Sequence, residues 1–135
     1  MQQIPINWWA VLVAAIIRMV VGSLWYSPVG FMKPWQRLSG IGEAQVRASF
    51  GRAIGIDALM SLIMAFILFH AVVYAGATSV WGGAVVGFLN WLGFIFTVFV
   101  GLWAYEQRPV QLVSITAGFN LVALLLMGAL IGVWH

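Results

Sequence analysis

Four long apolar stretches dominate this chain, at about 7–27, 52–75, 80–105 and 109–134, with polar connections between them. A helix that crosses a bilayer needs about 20 mostly apolar residues, so each stretch is long enough to span one. None alternates with period two, which argues against a barrel. In lipid the backbone must satisfy its own hydrogen bonds, which leaves helices. Pro28 ends the first stretch, because proline lacks a donor and restricts the residue before it. Pro109 suits the first turn of the fourth. Of the 135 residues, 64% are hydrophobic and 7% charged, against about 25% charged in an average soluble domain. A small domain has too much surface to hide that apolar content from water. These features predict an all-α membrane protein, a four-transmembrane-helix bundle forming one domain over 1–135. The opening Met1-Gln2-Gln3-Ile4-Pro5-Ile6-Asn7 carries no positive charge, and no small-residue cleavage site follows. The first stretch is therefore read as a retained helix.

Charge sets the expected orientation. The first connection, 28–51, carries Lys33, Arg37 and Arg47 with Arg52 at its edge, and the third, Glu106-Gln107-Arg108, carries one more basic residue. The second, Gly76-Ala77-Thr78-Ser79, is uncharged. The positive-inside rule places the first and third in the cytoplasm, so both termini and the second connection face outward. The formal charge of +3 is thus explained by membrane orientation, and nucleic acid is not expected as a partner. Tryptophans concentrate at membrane interfaces. Trp8, Trp9, Trp81 and Trp134 fit an outer belt, and Trp25, Trp35 and Trp103 an inner one; Trp91 lies deeper. Phe31, Trp35, Leu38, Ile41 and Val46 alternate with charges in the first connection. That pattern predicts an amphipathic segment lying at the inner interface, with recruitment of a soluble partner as the alternative.

Ionisable residues within a span are costly and are functional candidates by default. Arg18 lies about 16 Å below Asn7 at 1.5 Å per residue, near the bilayer midplane. Asp57 is the acidic residue within a span, close enough to the inner end for the arginine stem to reach toward it. An Arg18–Asp57 pair is the leading expectation, and it would pin two helices together or line an ion path. Asn90 and Asn120 fall at similar depth and could join Arg18 in one polar layer, although bonding between helices is the ordinary role of such amides. His70 and the terminal His135 have no companions at metal-ligand spacing, so no metal or cofactor is expected. Glu106 and Arg108 are read as helix-end and headgroup contacts. There are no cysteines, which excludes disulfides and thiolate chemistry. Gly51-x-x-x-Gly55, Gly83-x-x-x-Gly87 and Gly128-x-x-x-Gly132 have the spacing that lets helix backbones approach closely, within one chain or between chains.

Several motifs in succession resemble a known family. They are Asn7-Trp8-Trp9-Ala10-Val11-Leu12-Val13-Ala14-Ala15, Gly22-Ser23-Leu24-Trp25-Tyr26-Ser27-Pro28 and Lys33-Pro34-Trp35, followed by Gly87-Phe88-Leu89-Asn90-Trp91-Leu92-Gly93-Phe94, Tyr105-Glu106-Gln107-Arg108-Pro109 and Met127-Gly128-Ala129 through Trp134. The chain is similar over nearly its whole length to the small membrane proteins grouped as domain of unknown function (DUF) 1761. The resemblance implies four membrane helices, a bacterial inner membrane and no assigned activity. Arg18 stands where the resemblance implies a small or apolar residue, which points away from a role shared across that family.

No nucleophile–base pair, paired carboxylates, phosphate loop or metal cluster is visible. The expectation is a non-enzymatic membrane protein, structural or accessory, self-associating or seated in a larger membrane complex. Its partners would be the lipid bilayer and either a second copy or other membrane subunits. The rival expectation is a small permease or channel, with Arg18, Asn90 and Asn120 as its constriction. An enzyme acting on lipid would have only Asp57, Glu106 and His70, at different depths.

Overall fold

A computed structural model of the chain describes residues 4–135. The described residues form helices throughout: α1 (Trp8–Trp25), α2 (Met32–Ser39), α3 (Glu43–Tyr74), α4 (Val80–Trp91), a π-helical turn (Leu92–Phe96), α5 (Thr97–Glu106) and α6 (Val110–Val133). The run Val80–Glu106 is one continuous helix interrupted by the π turn, so four helices are long and apolar enough to cross a membrane.

Local chemistry explains the boundaries. Asn7 caps α1, its side-chain oxygen accepting the Ala10 N–H at 3.2 Å. Ser79 does the same for α4 through Gly82 at 2.9 Å. Such caps satisfy backbone donors that have no partner in the first helical turn. After Pro28 the chain turns back on the end of α1, and Phe31 N–H bonds to Trp25 O at 2.6 Å. Gly30 is required there, since a Cβ would collide with the Leu24 and Trp25 carbonyls.

The first connection differs from expectation. Only Met32–Ser39 is a separate amphipathic helix. Gly40, at φ +74°, closes it in the left-handed conformation that glycine adopts without strain. α3 then begins at Glu43 rather than near Arg52. The Gln45 side chain accepts the Gly42 N–H at 2.9 Å, and Glu43 pairs with Arg47 at 2.7 Å one turn on. Both contacts favour a helix start, and Glu43 also complements the helix dipole. With 32 residues, α3 runs about 48 Å at 1.5 Å per residue, well beyond a hydrocarbon core of about 30 Å. Its first turns project past the apolar zone.

α6 is the central helix: ten of its residues are buried, against four in α1, five in α3, two in α4 and none in α5. Ala10 and Ala14 of α1, Ala65, Phe69 and Val72 of α3, and Ala123, Met127 and Ile131 of α6 form the core. Outward faces are apolar as well, including Ile16, Ile63, Leu89 and Phe94. Asn7, the C-terminal residues and the α3–α4 turn lie together at one end of the bundle. There Asn7 donates to Trp134 O at 3.0 Å, and a His135 ring nitrogen lies 2.7 Å from Ala77 O.

Candidate functional site

Arg18 projects from the middle of α1 toward α3 and α6, and its side chain is only 11% exposed. Its Nη1 donates to Asp57 Oδ1 at 2.8 Å and to the Ser61 hydroxyl at 2.9 Å. Asp57 and Ser61 are one turn apart on α3, so both meet the same guanidinium edge. Ser61 is fully buried. From the α6 side the Phe119 ring lies 5.1 Å from the guanidinium carbon, a cation–π arrangement that shields charge from an apolar surrounding. One arginine therefore ties three helices. The expected pair comes together in the structure, while Ser61 and Phe119 were not anticipated. Ser61 had a usable signal, since it follows Asp57 by one turn; a buried phenylalanine has none.

The polar layer is not assembled. Asn90 donates to Val86 O at 2.9 Å and Asn120 to Thr116 O at 3.0 Å, each one turn back in its own helix. Neither side chain bonds to Arg18.

The glycine motifs divide. Gly83 and Gly87 of α4 lie directly against Gly128, Gly132 and the Leu124 carbonyl of α6, where a Cβ would overlap backbone atoms. This close approach is spent inside the chain. Gly51 and Gly55 face open space.

The tryptophans divide too. Trp8, Trp9 and Trp103 are more than half exposed, at 61%, 69% and 52%, as interface anchors would be, and Trp134 is exposed at 42%. Trp25 instead turns inward, its indole N–H donating to Ile115 O at 2.8 Å, and Trp91 makes the matching bond to Ala117 O at 2.8 Å. Between them the Tyr26 hydroxyl bonds to the Thr116 hydroxyl at 3.2 Å. Three aromatic side chains from two spans thus converge on 115–117 of α6. Trp35 packs edge-on against Tyr26, ring centroids 5.8 Å apart, and holds α2 beneath the bundle.

The remaining candidates stand apart from Arg18. His70 faces Phe66 O within its own helix at 2.8 Å, and Glu106 pairs with Arg108 at 2.9 Å across their turn. Among the described residues, no three His, Asp or Glu side chains gather as a metal site would require.

The third span carries a feature that sequence patterning did not reveal. Its π turn follows Trp91, and beyond it α5 has no buried residue. Thr97 bonds back to Gly93 O at 2.8 Å. Such back-bonding often bends helices, and π turns recur at functional positions. Gly93, Thr97 and Gly101 repeat at four-residue spacing, and Gly93 and Gly101 have open space where a Cβ would stand.

These features define an all-helical protein with four helices apolar enough for membrane spans, locked by one internal ion pair. The chain belongs to the DUF1761 family: residues 9–132 match the family described as Protein of unknown function (DUF1761). No curated protein and no solved structure matches it.

Proposed function

We propose that this chain is a non-enzymatic integral membrane protein of the bacterial inner membrane, with both ends outside. It acts as a structural or accessory subunit that associates with itself or with other membrane proteins. The observation that carries this reading is the second half of the third long helix, where α5 has no buried residue. α4 is held against α6, whereas α5 leaves most of its surface available to a neighbour. Gly93, Thr97 and Gly101 have the small-residue spacing that supports close helix pairing in membranes. The Gly83, Gly87, Gly128 and Gly132 surfaces are already occupied within the chain, so they are not the proposed contact.

The permease alternative has weaker support. Asn90 and Asn120 each donate within their own helices, and Arg18 is paired with Asp57.

The chain has no cysteine, so a single Thr97→Cys substitution in native membranes tests the contact. Oxidation is expected to produce a cross-linked species, whereas Ile63→Cys on the outward face of α3 should remain uncross-linked. Absence of any product from Thr97→Cys would remove the third span as the association surface.

A further inference from the structure

We propose that the open cavity lined by α1, α2, α3 and α6 binds a neutral, largely apolar molecule carrying a hydroxyl group. The cavity is about 720 Å³, within the range of roughly 300–1,000 Å³ typical of small-molecule sites. Met19, Tyr26, Trp35, Phe50, Ile54 and Phe119 supply mostly apolar and aromatic walls. No residue of the third span lines it, so this site is independent of the association proposed above.

Two polar groups on the wall are incompletely used. Asp57 gives one carboxylate oxygen to Arg18, yet its side chain remains 46% exposed and borders the cavity. Gln36 on α2 also lines the cavity, and its Nε2 is buried with no hydrogen-bond partner. A buried donor without a partner is costly, and such groups call for an explanation in a native fold. The cavity therefore presents an acceptor on α3, and behind its wall on α2 lies an unpartnered donor that a turn of the Gln36 side chain would bring to a ligand. A hydroxyl can donate to the first, and an oxygen of the same molecule can accept from the second.

Charge narrows the class. Arg18 already balances Asp57. An ammonium would compete with Arg18 for the same carboxylate, and an anionic head would face that carboxylate directly. Like charges brought together in a low dielectric are strongly disfavoured. An uncharged donor meets neither penalty.

The test uses the full chain in phosphatidylcholine nanodiscs with three photoactivatable probes of equal chain length: an alcohol, an amine and a carboxylic acid. Labelled peptides are mapped by mass spectrometry. The alcohol is expected to label α2 and the 50–57 stretch of α3 saturably, about tenfold better than either charged probe. Gln36→Leu should weaken that labelling about tenfold, the effect of losing one hydrogen bond to a buried group. Ala53→Phe, which places a ring in the cavity, should abolish it. If Ala53→Phe fails to fold by circular dichroism, Gln36→Leu carries the test alone. Labelling spread evenly over outward positions such as Ile16 and Leu89 would overturn the site. So would labelling untouched by the folded variants. Equal or better labelling by a charged probe would overturn the assignment of a neutral ligand.

Discussion

Arg18 and Asp57, 39 residues apart in the chain, are joined by a 2.8 Å ion pair between α1 and α3. The arginine is nearly enclosed and the aspartate is half open. The two ends of the pair therefore carry different consequences. Removing the aspartate strands a charge inside the bundle, whereas removing both groups strands nothing. An unpaired arginine at the centre of a span costs at least about 2.5 kcal/mol, and breaking one partner of an enclosed pair is more damaging than replacing both with apolar groups.

Asp57→Ala is accordingly expected to destabilise the bundle by about 2 kcal/mol, a value lowered for the solvent-facing side of the carboxylate. Arg18→Met combined with Asp57→Leu should lie closer to the wild-type chain than Asp57→Ala does. Thermal unfolding in detergent, followed by circular dichroism, checks the order of the three.

The α4–α6 contact has no room for a side chain. Gly83→Ala places a methyl group against the Gly128 carbonyl, and overpacking of this kind costs about 1–3 kcal/mol. Gly51→Ala is the matched control, since open space surrounds it. It should be neutral or stabilising by up to about 1 kcal/mol through better helix propensity. The same unfolding measurement separates them.

The indoles of Trp25 and Trp91 act as struts onto α6. Trp91→Phe keeps a ring but loses the bond to Ala117 O, with an expected loss of about 1 kcal/mol. Trp9→Phe, at a 69% exposed position, should change stability by less than about 0.5 kcal/mol. Chemical denaturation of the two variants provides the comparison.

Orientation is open to direct labelling. Thr78 lies in the uncharged turn that shares an end with Asn7 and Trp134, while Ser39 closes the basic helix α2. In intact cells, Thr78→Cys should react with a membrane-impermeant maleimide and Ser39→Cys should not. The reverse pattern would invert the proposed topology.

Much of this architecture was legible in the sequence because long apolar runs without alternation leave little but helices. The four spans follow from apolar length alone. The Arg18–Asp57 pair was legible because one acidic residue lay at a depth the arginine could reach. The early start of α3 was not, because hydropathy reports where the apolar zone begins and not where the helix does. Its marks were the Gly40 and Gly42 punctuation and the Glu43–Arg47 spacing. The π turn left no comparable signal. Glycine spacing identified surfaces capable of close approach, but only the fold paired Gly83 with Gly128 and left Gly93 and Gly101 open. Trp25 was harder to read for a related reason: tryptophan suits both a headgroup and a backbone carbonyl, and composition does not distinguish the two.

The proposed association runs through α5, the unburied second half of the third long helix. The most direct measurement is the intact mass of the assembly after extraction in a mild detergent, read by native mass spectrometry. A chain of 14.8 kDa that associates as proposed will appear as a multiple of that mass or bound to another membrane protein. Thr97→Leu, which places a larger side chain on the proposed contact, should return it to a single copy. A wild-type chain that emerges only as a 14.8 kDa monomer would contradict the account.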